Sequence, residues 1–185
     1  MIHDQDRSGY FGASDTKYVM GNWNTKTFDK WWLIKLGLAE GFPPNIYMEA
    51  GTYYEHYILD ALGIKGLEKD KQIILEDLKL RVNLDGNTDN CIYEVKTYKA
   101  GKPFNLKREY YQQVQVQMYA SGIHNCKVVA YPLWEDDYLD LDGINVDPNL
   151  IELYDVAYDK KFIQKYLLRL ETLRGFLVDE MECIL

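Results

Sequence analysis

The sequence has few cysteines, no long hydrophobic run and no secretion signal. Its three cysteines, Cys91, Cys126 and Cys183, are far apart and lack CxxC spacing, which argues against a disulfide framework or a zinc site. No run of eighteen apolar residues occurs, and the amino terminus lacks the basic-then-apolar pattern of a signal peptide. We therefore expect a cytoplasmic protein that does not enter a membrane.

The chain also lacks the positive net charge that is typical of nucleic-acid-binding proteins. Its formal net charge is −8, whereas phosphate contacts require local cations. The stretch from Val95 to Arg108 nevertheless contains no acid and five cations, namely Lys96, Lys99, Lys102, Lys107 and Arg108. Such a run is either a solvated loop or a surface for an anionic partner.

The hydrophobic pattern predicts one α/β domain over residues 1–185. Hydrophobic residues make up 47% of the chain, which is enough for a core. Helical spacing of apolar residues predicts helices over 27–38, 47–62, 107–121 and 159–181. Alternation or short apolar runs predict strands over 78–85, 91–97, 127–134 and 150–156. The expected order is α, α, β, β, β, α, β, β, α.

The segment DGNTDNCIYEVK is predicted to form a β-hairpin. Asp89-Asn90 is the best two-residue turn because both residues tolerate the left-handed conformation. This register places Asp85 directly opposite Glu94. Opposed side chains have Cβ atoms about 4.5–5.5 Å apart, where two like charges are destabilising. We therefore expect a cation between them.

Glu94 and Lys96 are two residues apart on the second strand, so they share the face that carries Asp85, while Val95 points into the core. Hard oxygen ligands of this kind suit Mg²⁺ or Mn²⁺. A metal held there would polarise a phosphate group and lower the pKa of an attacking water. The alternative is an exposed hairpin whose acids point into water, because a D…ExK pattern often occurs by chance.

With these residues in place, the chain resembles the PD-(D/E)XK nuclease superfamily, and within it the phage lambda-type exonucleases, also grouped as YqaJ-type viral recombinases. Four blocks occur in the family's order: RSGYFGAS at 7–14, GTYYE at 51–55, the LDG…EVK hairpin, and YYQQVQVQMYASG at 110–122. The resemblance implies a restriction-endonuclease-like core with a central mixed β-sheet flanked by helices. One departure is Leu84, where the superfamily pattern has proline.

The resemblance implies that Asp85, Glu94 and the backbone carbonyl of Val95 bind the metal. It also implies that Glu55 joins this site, directly or through water. Glu55 lies four residues after Gly51 on one helical face, and the glycine permits close approach of a neighbouring element. Without the resemblance, Glu55 is simply a surface glutamate.

The resemblance further implies that Lys96, Glu55 and Gln113 manage the attacking water. Gln113 matches the active-site glutamine of the family by its place in the fourth block, and Gln115 is the second choice and a candidate for substrate binding. Glutamine on a helix is most often exposed to solvent, so this role depends on the resemblance.

Substrate contacts are expected near the amino terminus and in the basic stretch. Ser14 followed by Asp15 is typical of a helix N-cap, which is a natural phosphate site, and Arg7 would add a bidentate clamp. In the family these two positions hold the 5′-terminal phosphate. The simpler readings are ordinary capping for Ser14 and a flexible terminus for Arg7. Lys99 and Lys102 are further candidates for DNA contact.

The resulting hypothesis is a Mg²⁺-dependent exonuclease of phage or prophage origin that digests double-stranded DNA ends 5′ to 3′. Its expected partners are a single-strand annealing recombinase and further copies of itself in a trimer. One alternative is a nuclease like those of CRISPR adaptation, although these usually carry a cysteine-ligated iron–sulfur cluster. Another is a non-catalytic DNA-binding or structural protein on the same fold, which the charge of −8 favours.

Overall fold

The computed structural model describes residues 8–139, 141 and 144–184. The helices within these ranges are α1 (Thr16–Val19), α2 (Lys26–Lys35), α3 (Ile46–Ala61), α4 (Arg108–Ser121) and α5 (Lys160–Ile184). The strands are β1 (Glu68–Leu75), β2 (Leu80–Asn87), β3 (Ile92–Lys99), β4 (Asn125–Leu133) and β5 (Glu152–Ala157). In these ranges, no helix is both long and apolar enough to cross a membrane.

The five strands form one sheet in the order β1-β2-β3-β4-β5. Three neighbouring pairs are antiparallel, whereas β3 and β4 run parallel and are joined through α4. The sheet is therefore mixed, and a helical crossover supplies the connection that a parallel pair requires. This confirms the expected α/β class with a central mixed sheet.

Helices cover both faces of the sheet. On one face, the alternating residues Leu80, Val82 and Leu84 of β2 pack with α4 and α5 in a buried cluster. On the other face, Val95 of β3 belongs to a second buried cluster with residues of α3. The flanking of the sheet by helices, expected from the sequence, is thus confirmed.

Local signals explain the ends of the main helices. The side chain of Asn45 caps α3 by accepting a hydrogen bond from the backbone N–H of Met48. Gly122 ends α4 in the left-handed conformation, at φ +73°, which favours glycine. Both ends lie within a residue or two of the boundaries that the sequence predicts.

Strand β1 is the one described strand that the sequence pattern did not delimit. It lies at the edge of the sheet, and most of its side chains are exposed or only half-buried. Charged residues occupy its first half, so neither an alternating nor a continuous apolar run marks it. The predicted element order nevertheless contains a third strand before α4.

Candidate active site

The predicted hairpin register is confirmed at its turn. Gly86 pairs with Tyr93 and Asn87 with Ile92, and the Thr88 N–H donates to the Cys91 carbonyl at 2.9 Å. The described ladder between β2 and β3 then stops. Asp85 and Glu94 come next in this register, but they do not form a ladder pair.

Asp85 instead uses its side chain to bridge the two strands. Its Oδ2 atom accepts a hydrogen bond from the backbone N–H of Val95 at 2.8 Å. The carboxylate thereby satisfies an amide that the ladder leaves without a strand partner. Val95 itself packs into the core as expected, since it is only 7% exposed.

Glu94 is the most enclosed carboxylate of this group, with 1% of its side chain exposed. Its Oε1 atom accepts hydrogen bonds from Lys96 Nζ at 2.6 Å and from Gln113 Nε2 at 2.5 Å. Its Oε2 atom accepts one from Gln117 Nε2 at 2.5 Å. Three donors therefore orient both oxygens, as a buried carboxylate requires.

Gln113 and Gln117 reach Glu94 because they lie one helical turn apart on α4. The structure brings Gln113 to the hairpin, where the sequence hypothesis needs it. Gln117 was not singled out, although its i, i+4 spacing from Gln113 was a usable signal. Its amide also donates to the Asn83 carbonyl at 3.2 Å, so Gln117 ties α4 to β2.

The charges of this cluster do not balance. Burial and the neighbouring Glu94 and Glu55 raise the pKa of Asp85 well above its usual range, while Lys96 and the Val95 N–H act against this shift. Burial opposes the charge on Lys96, but Glu94 and Asp85 outweigh it and raise the pKa of that amine. One ammonium thus faces several carboxylates, and a divalent cation would fit the excess negative charge.

Glu55 approaches this cluster from α3, on the opposite side of the sheet from α4. Burial, then Glu94 and Asp70, raise the pKa of Glu55 to about 7, although Lys96 opposes this effect. Gly51, one turn earlier, lies so close to β3 that a Cβ there would stand 3.1 Å from Thr97 Oγ1. The small residue lets α3 pack near β3, as expected for this block.

Two residues that the sequence did not indicate lie beside Glu55. His56 Nε2 and Asp70 Oδ2 are 3.0 Å apart, and one ligand atom from each of Glu55, His56 and Asp70 falls within 4.8 Å of the others. Asp70 has φ +58°, which is unusual for a non-glycine residue. It lies on β1, between the residues paired with Leu84 and Gly86. A metal ion would find nitrogen and oxygen ligands there as well.

The amino-terminal candidates for substrate binding are Arg7 and Ser14. Arg7 lies outside the described residues. Ser14 is exposed in a short 3-10 helix whose N-cap is Gly12, so the expectation that Ser14 is the N-cap is wrong. The following Asp15 is instead buried, where it pairs with Lys35 at 2.6 Å and accepts from Trp31 Nε1 at 2.9 Å. This buried ion pair fixes the segment that carries Ser14.

The remaining candidates for substrate binding are Gln115, Lys99 and Lys102, and the structure places them in different surroundings. Gln115 is fully buried and uses both ends of its amide, donating to the Ala157 carbonyl and accepting from the Asp159 N–H. It joins α4 to the start of α5, which corrects its assignment to substrate binding. Lys99 is exposed and pairs with Glu135 at 2.7 Å, and Lys102 is exposed in the loop before α4.

No protein-family model matches the sequence, and no curated protein sequence is similar to it. Among solved structures, the chain is similar to the alkaline exonuclease LHK-Exo from Laribacter hongkongensis, with a TM-score of 0.73 and 19% identity over 96% of this chain and 92% of that one. The complex of LHK-Exo with dAMP gives a TM-score of 0.71 at 20% identity, with the same shares covered.

A phage-related exonuclease from Haemophilus somnus is similar as well, with a TM-score of 0.71 and 16% identity. The match covers 95% of this chain and 96% of that one. The likeness extends over nearly the whole of each chain, so it is not limited to the sheet. This chain therefore has the fold of these exonucleases.

Proposed function

We propose that the protein is a divalent-metal-dependent deoxyribonuclease, built as one nuclease domain, that digests double-stranded DNA ends from 5′ to 3′. The observation that carries this proposal is the cluster of buried Glu94 with half-buried Asp85 and Lys96, where the β2–β3 ladder stops, on a fold shared with exonucleases. Carboxylates and an ammonium gathered in this way are typical of an active site.

We propose that the metal is Mg²⁺, with Mn²⁺ as a substitute, held by Asp85, Glu94 and the Val95 carbonyl. Mg²⁺ takes carboxylate and carbonyl oxygens and keeps several waters for a phosphate to displace. Both carboxylates are already oriented by hydrogen bonds. When bound, the metal would polarise the scissile phosphate and favour ionisation of the attacking water.

The chain's own groups have separate tasks in this proposal. Lys96 lies beside Glu94 with 19% of its side chain exposed, so its ammonium can face a phosphate and offset charge on the pentavalent phosphorus. Glu55, with its pKa near 7, is suited to accept the proton of the attacking water at neutral pH. Gln113 holds Glu94 and so positions a metal ligand.

Neither alternative from the sequence gains a specific observation. The free cysteines Cys91, Cys126 and Cys183 differ in burial, and in the described ranges the grouping of possible metal ligands contains no cysteine. This offers no support for an iron–sulfur cluster of the kind found in CRISPR-adaptation nucleases. A purely structural protein has no need for the strained and charged surroundings of Glu55.

The test uses linear and circular duplex DNA of equal length, incubated with the purified protein in Mg²⁺, Mn²⁺ or EDTA. Phosphorothioate blocks at either the 5′ or the 3′ ends report polarity. We expect mononucleotides from linear DNA only, with 5′ blocks protective and EDTA abolishing the reaction. Equal degradation in EDTA, or no degradation in any metal, would contradict the proposal.

Lys96→Ala is expected to lower the rate of this reaction at least about a hundredfold, because the transition-state charge loses its fixed cation. The matched control is Lys165→Ala, which removes an exposed lysine of α5. Circular dichroism checks that both variants are folded. A Lys96→Ala protein that cuts at the native rate would show that the assigned lysine is wrong.

A further inference from the structure

A cavity of about 400 Å³ lies where the amino-terminal end of α4 meets α1. Its wall includes Lys17 from α1 and Lys107 and Arg108 from the start of α4, together with the acid Glu109. Among the described residues, none of these three cations has a carboxylate partner. The cavity is therefore a locally positive site in a chain whose net charge is −8.

Gln112 forms the inner part of this wall. It is only 5% exposed, yet its side-chain amide makes no hydrogen bond to any part of the chain that the structure describes. Neither polar atom of this amide is among the fully enclosed unpartnered atoms of the described residues, so the amide is open to the cavity that Gln112 lines. The other glutamines of the helix, such as Gln115 and Gln117, are bonded to the protein. Gln112 is thus a polar group that a ligand would satisfy.

The amino-terminal end of α4 is a third feature of the cavity that favours an anion. Helix α4 has 14 residues, and its N-cap is Lys107, whose side chain does not cap it. The first N–H groups of a helix lack partners within the helix, and this end carries the positive pole of the dipole. Together with the cations and Gln112, this favours an anion with several acceptor oxygens.

The cavity adjoins the metal-binding hairpin through one aromatic ring. Lys107 Nζ lies 5.4 Å from the ring centroid of Tyr110, and Lys96 Nζ lies 5.2 Å from the same centroid. A DNA strand whose scissile phosphate reaches Lys96 therefore has a nearby phosphate within reach of the cavity. The anion that fits this position best is a phosphate of the strand being cut.

We propose that this cavity binds a phosphate group of the DNA substrate, held by Lys107, Arg108 and Gln112, with Lys17 facing them from α1. The proposal rests on the nuclease function and extends it by naming a substrate subsite that is separate from the metal ligands. The phosphate belongs either to the 5′ end or to the interior of the strand, and both offer the same acceptor oxygens.

The experiment measures binding of a fluorescein-labelled duplex by anisotropy in EDTA at several salt concentrations, with either a 5′-phosphate or a 5′-hydroxyl on the duplex. The cavity variants are the double variant Lys107→Ala/Arg108→Ala, at exposed positions, and Gln112→Glu, which places a like charge in the cavity. The control is Lys65→Ala/Lys165→Ala, which removes the same charge elsewhere.

We expect Lys107→Ala/Arg108→Ala to weaken binding about tenfold or more and to reduce the slope of log affinity against log salt by about 2, because each lost phosphate contact accounts for about 0.9. Gln112→Glu should weaken binding in the same direction, and the control should stay within about twofold of the native protein. A loss confined to the 5′-phosphorylated duplex identifies the terminal phosphate. An equal loss on both duplexes identifies an internal one.

Two results would overturn the proposal, and they differ in what else they affect. If the cavity variants and the control bind with the same affinity and slope while the native protein degrades linear DNA, the cavity has no role and the nuclease function stands. If the native protein neither binds nor degrades DNA, both proposals fail.

Discussion

The carboxylate of Glu94 shows how single residues define the candidate site. It is buried, and its two oxygens are fixed by Lys96, Gln113 and Gln117. Among the described residues Oε2 accepts from Gln117 alone, so removing that donor leaves a charged oxygen without a partner, which costs about 1–3 kcal/mol or more. The orientation of Glu94, and hence of any metal it binds, depends on all three donors.

Gln117→Leu is therefore expected to destabilise the metal-free protein by about 1–3 kcal/mol and to lower nuclease activity about tenfold. The leucine keeps the volume of the side chain but donates to neither Glu94 nor Asn83. Urea denaturation measures the first effect, and the rate on linear duplex DNA measures the second. Gln164→Leu, at an exposed position of α5, is the matched control. Native activity in Gln117→Leu would show that Gln117 does not position Glu94.

The sequence predicted several of these residues but not all of them. Asp85, Glu94, Lys96, Glu55 and Gln113 were named from spacing and resemblance, and the structure brings them to the same region. Gln117 shares a helical face with Gln113 in the sequence pattern, but the pattern assigns no role to Gln117 or Gln112, because the face that a polar helix turns toward the sheet depends on packing. Asp70 was missed because an exposed edge strand carries no hydrophobic signal.

At the scale of elements, the hairpin of β2 and β3 combines a predictable turn with an unpredicted break. Turn chemistry at Asp89-Asn90 fixes the register, and the two pairs beside the turn confirm it. The break follows at Asp85, whose side chain replaces a strand partner for Val95. Sequence reasoning could not foresee it, because it depends on how the neighbouring strand and helices crowd the carboxylates.

Asp85→Asn is expected to act in opposite directions on stability and activity. The amide oxygen can still accept from the Val95 N–H, while the negative charge that burial, Glu94 and Glu55 all disfavour at this position is gone. Since the native pKa lies above its unfolded value, the folded native protein loses stability as pH rises through that interval, and the variant does not. In EDTA at neutral pH the variant should be more stable than the native protein, and this advantage should vanish as the pH falls to the unfolded-state pKa of about 4.

The same variant should lose at least about a hundredfold in activity and gain no thermal stability from added Mg²⁺, because it lacks a charged metal ligand. Thermal denaturation with and without Mg²⁺, across this pH range, measures both effects. A variant that is less stable than the native protein in EDTA would contradict the idea that Asp85 is held against like charges.

The whole molecule leaves an apolar surface uncovered between residues 33 and 57. Large hydrophobic side chains there are between 42% and 57% exposed: Leu33, Leu38, Phe42, Ile46, Tyr47, Met48, Tyr53 and Tyr57. Patches of this kind on a globular protein often mark contacts with other chains. The trimer that the family resemblance implies would bury side chains of this kind.

Light scattering after size exclusion should therefore give a mass about three times 21.7 kDa. Tyr53→Glu/Tyr57→Glu places two charges on the exposed side of α3 and should dissociate the assembly, because burying unpaired charge in an interface is costly. Leu168→Glu, at a position that is 69% exposed on α5, is the control and should not change the mass. A monomer at every concentration would contradict the trimer.

The α/β class and most elements were predictable at this scale because buried strands and amphipathic helices leave periodic patterns. The order of strands in the sheet, and the way that α4 meets α1, were not, since they result from contacts between distant segments. For this reason the cavity beside Lys17 has no counterpart in the sequence reasoning, although Lys107 and Arg108 were noticed as part of a basic stretch.

Helix α4 carries side chains of both proposed sites, the phosphate-binding cavity and the metal site. Arg108 and Gln112 line the cavity, and Gln113 and Gln117 hold Glu94. From Arg108 to Gln113 the helix advances about 7.5 Å at 1.5 Å per residue, and the helix holds that interval fixed. A DNA strand bound at both places therefore spans a fixed distance. The spacing between the phosphate in the cavity and the phosphate at the metal would then be set by the geometry of one helix, whatever the base sequence.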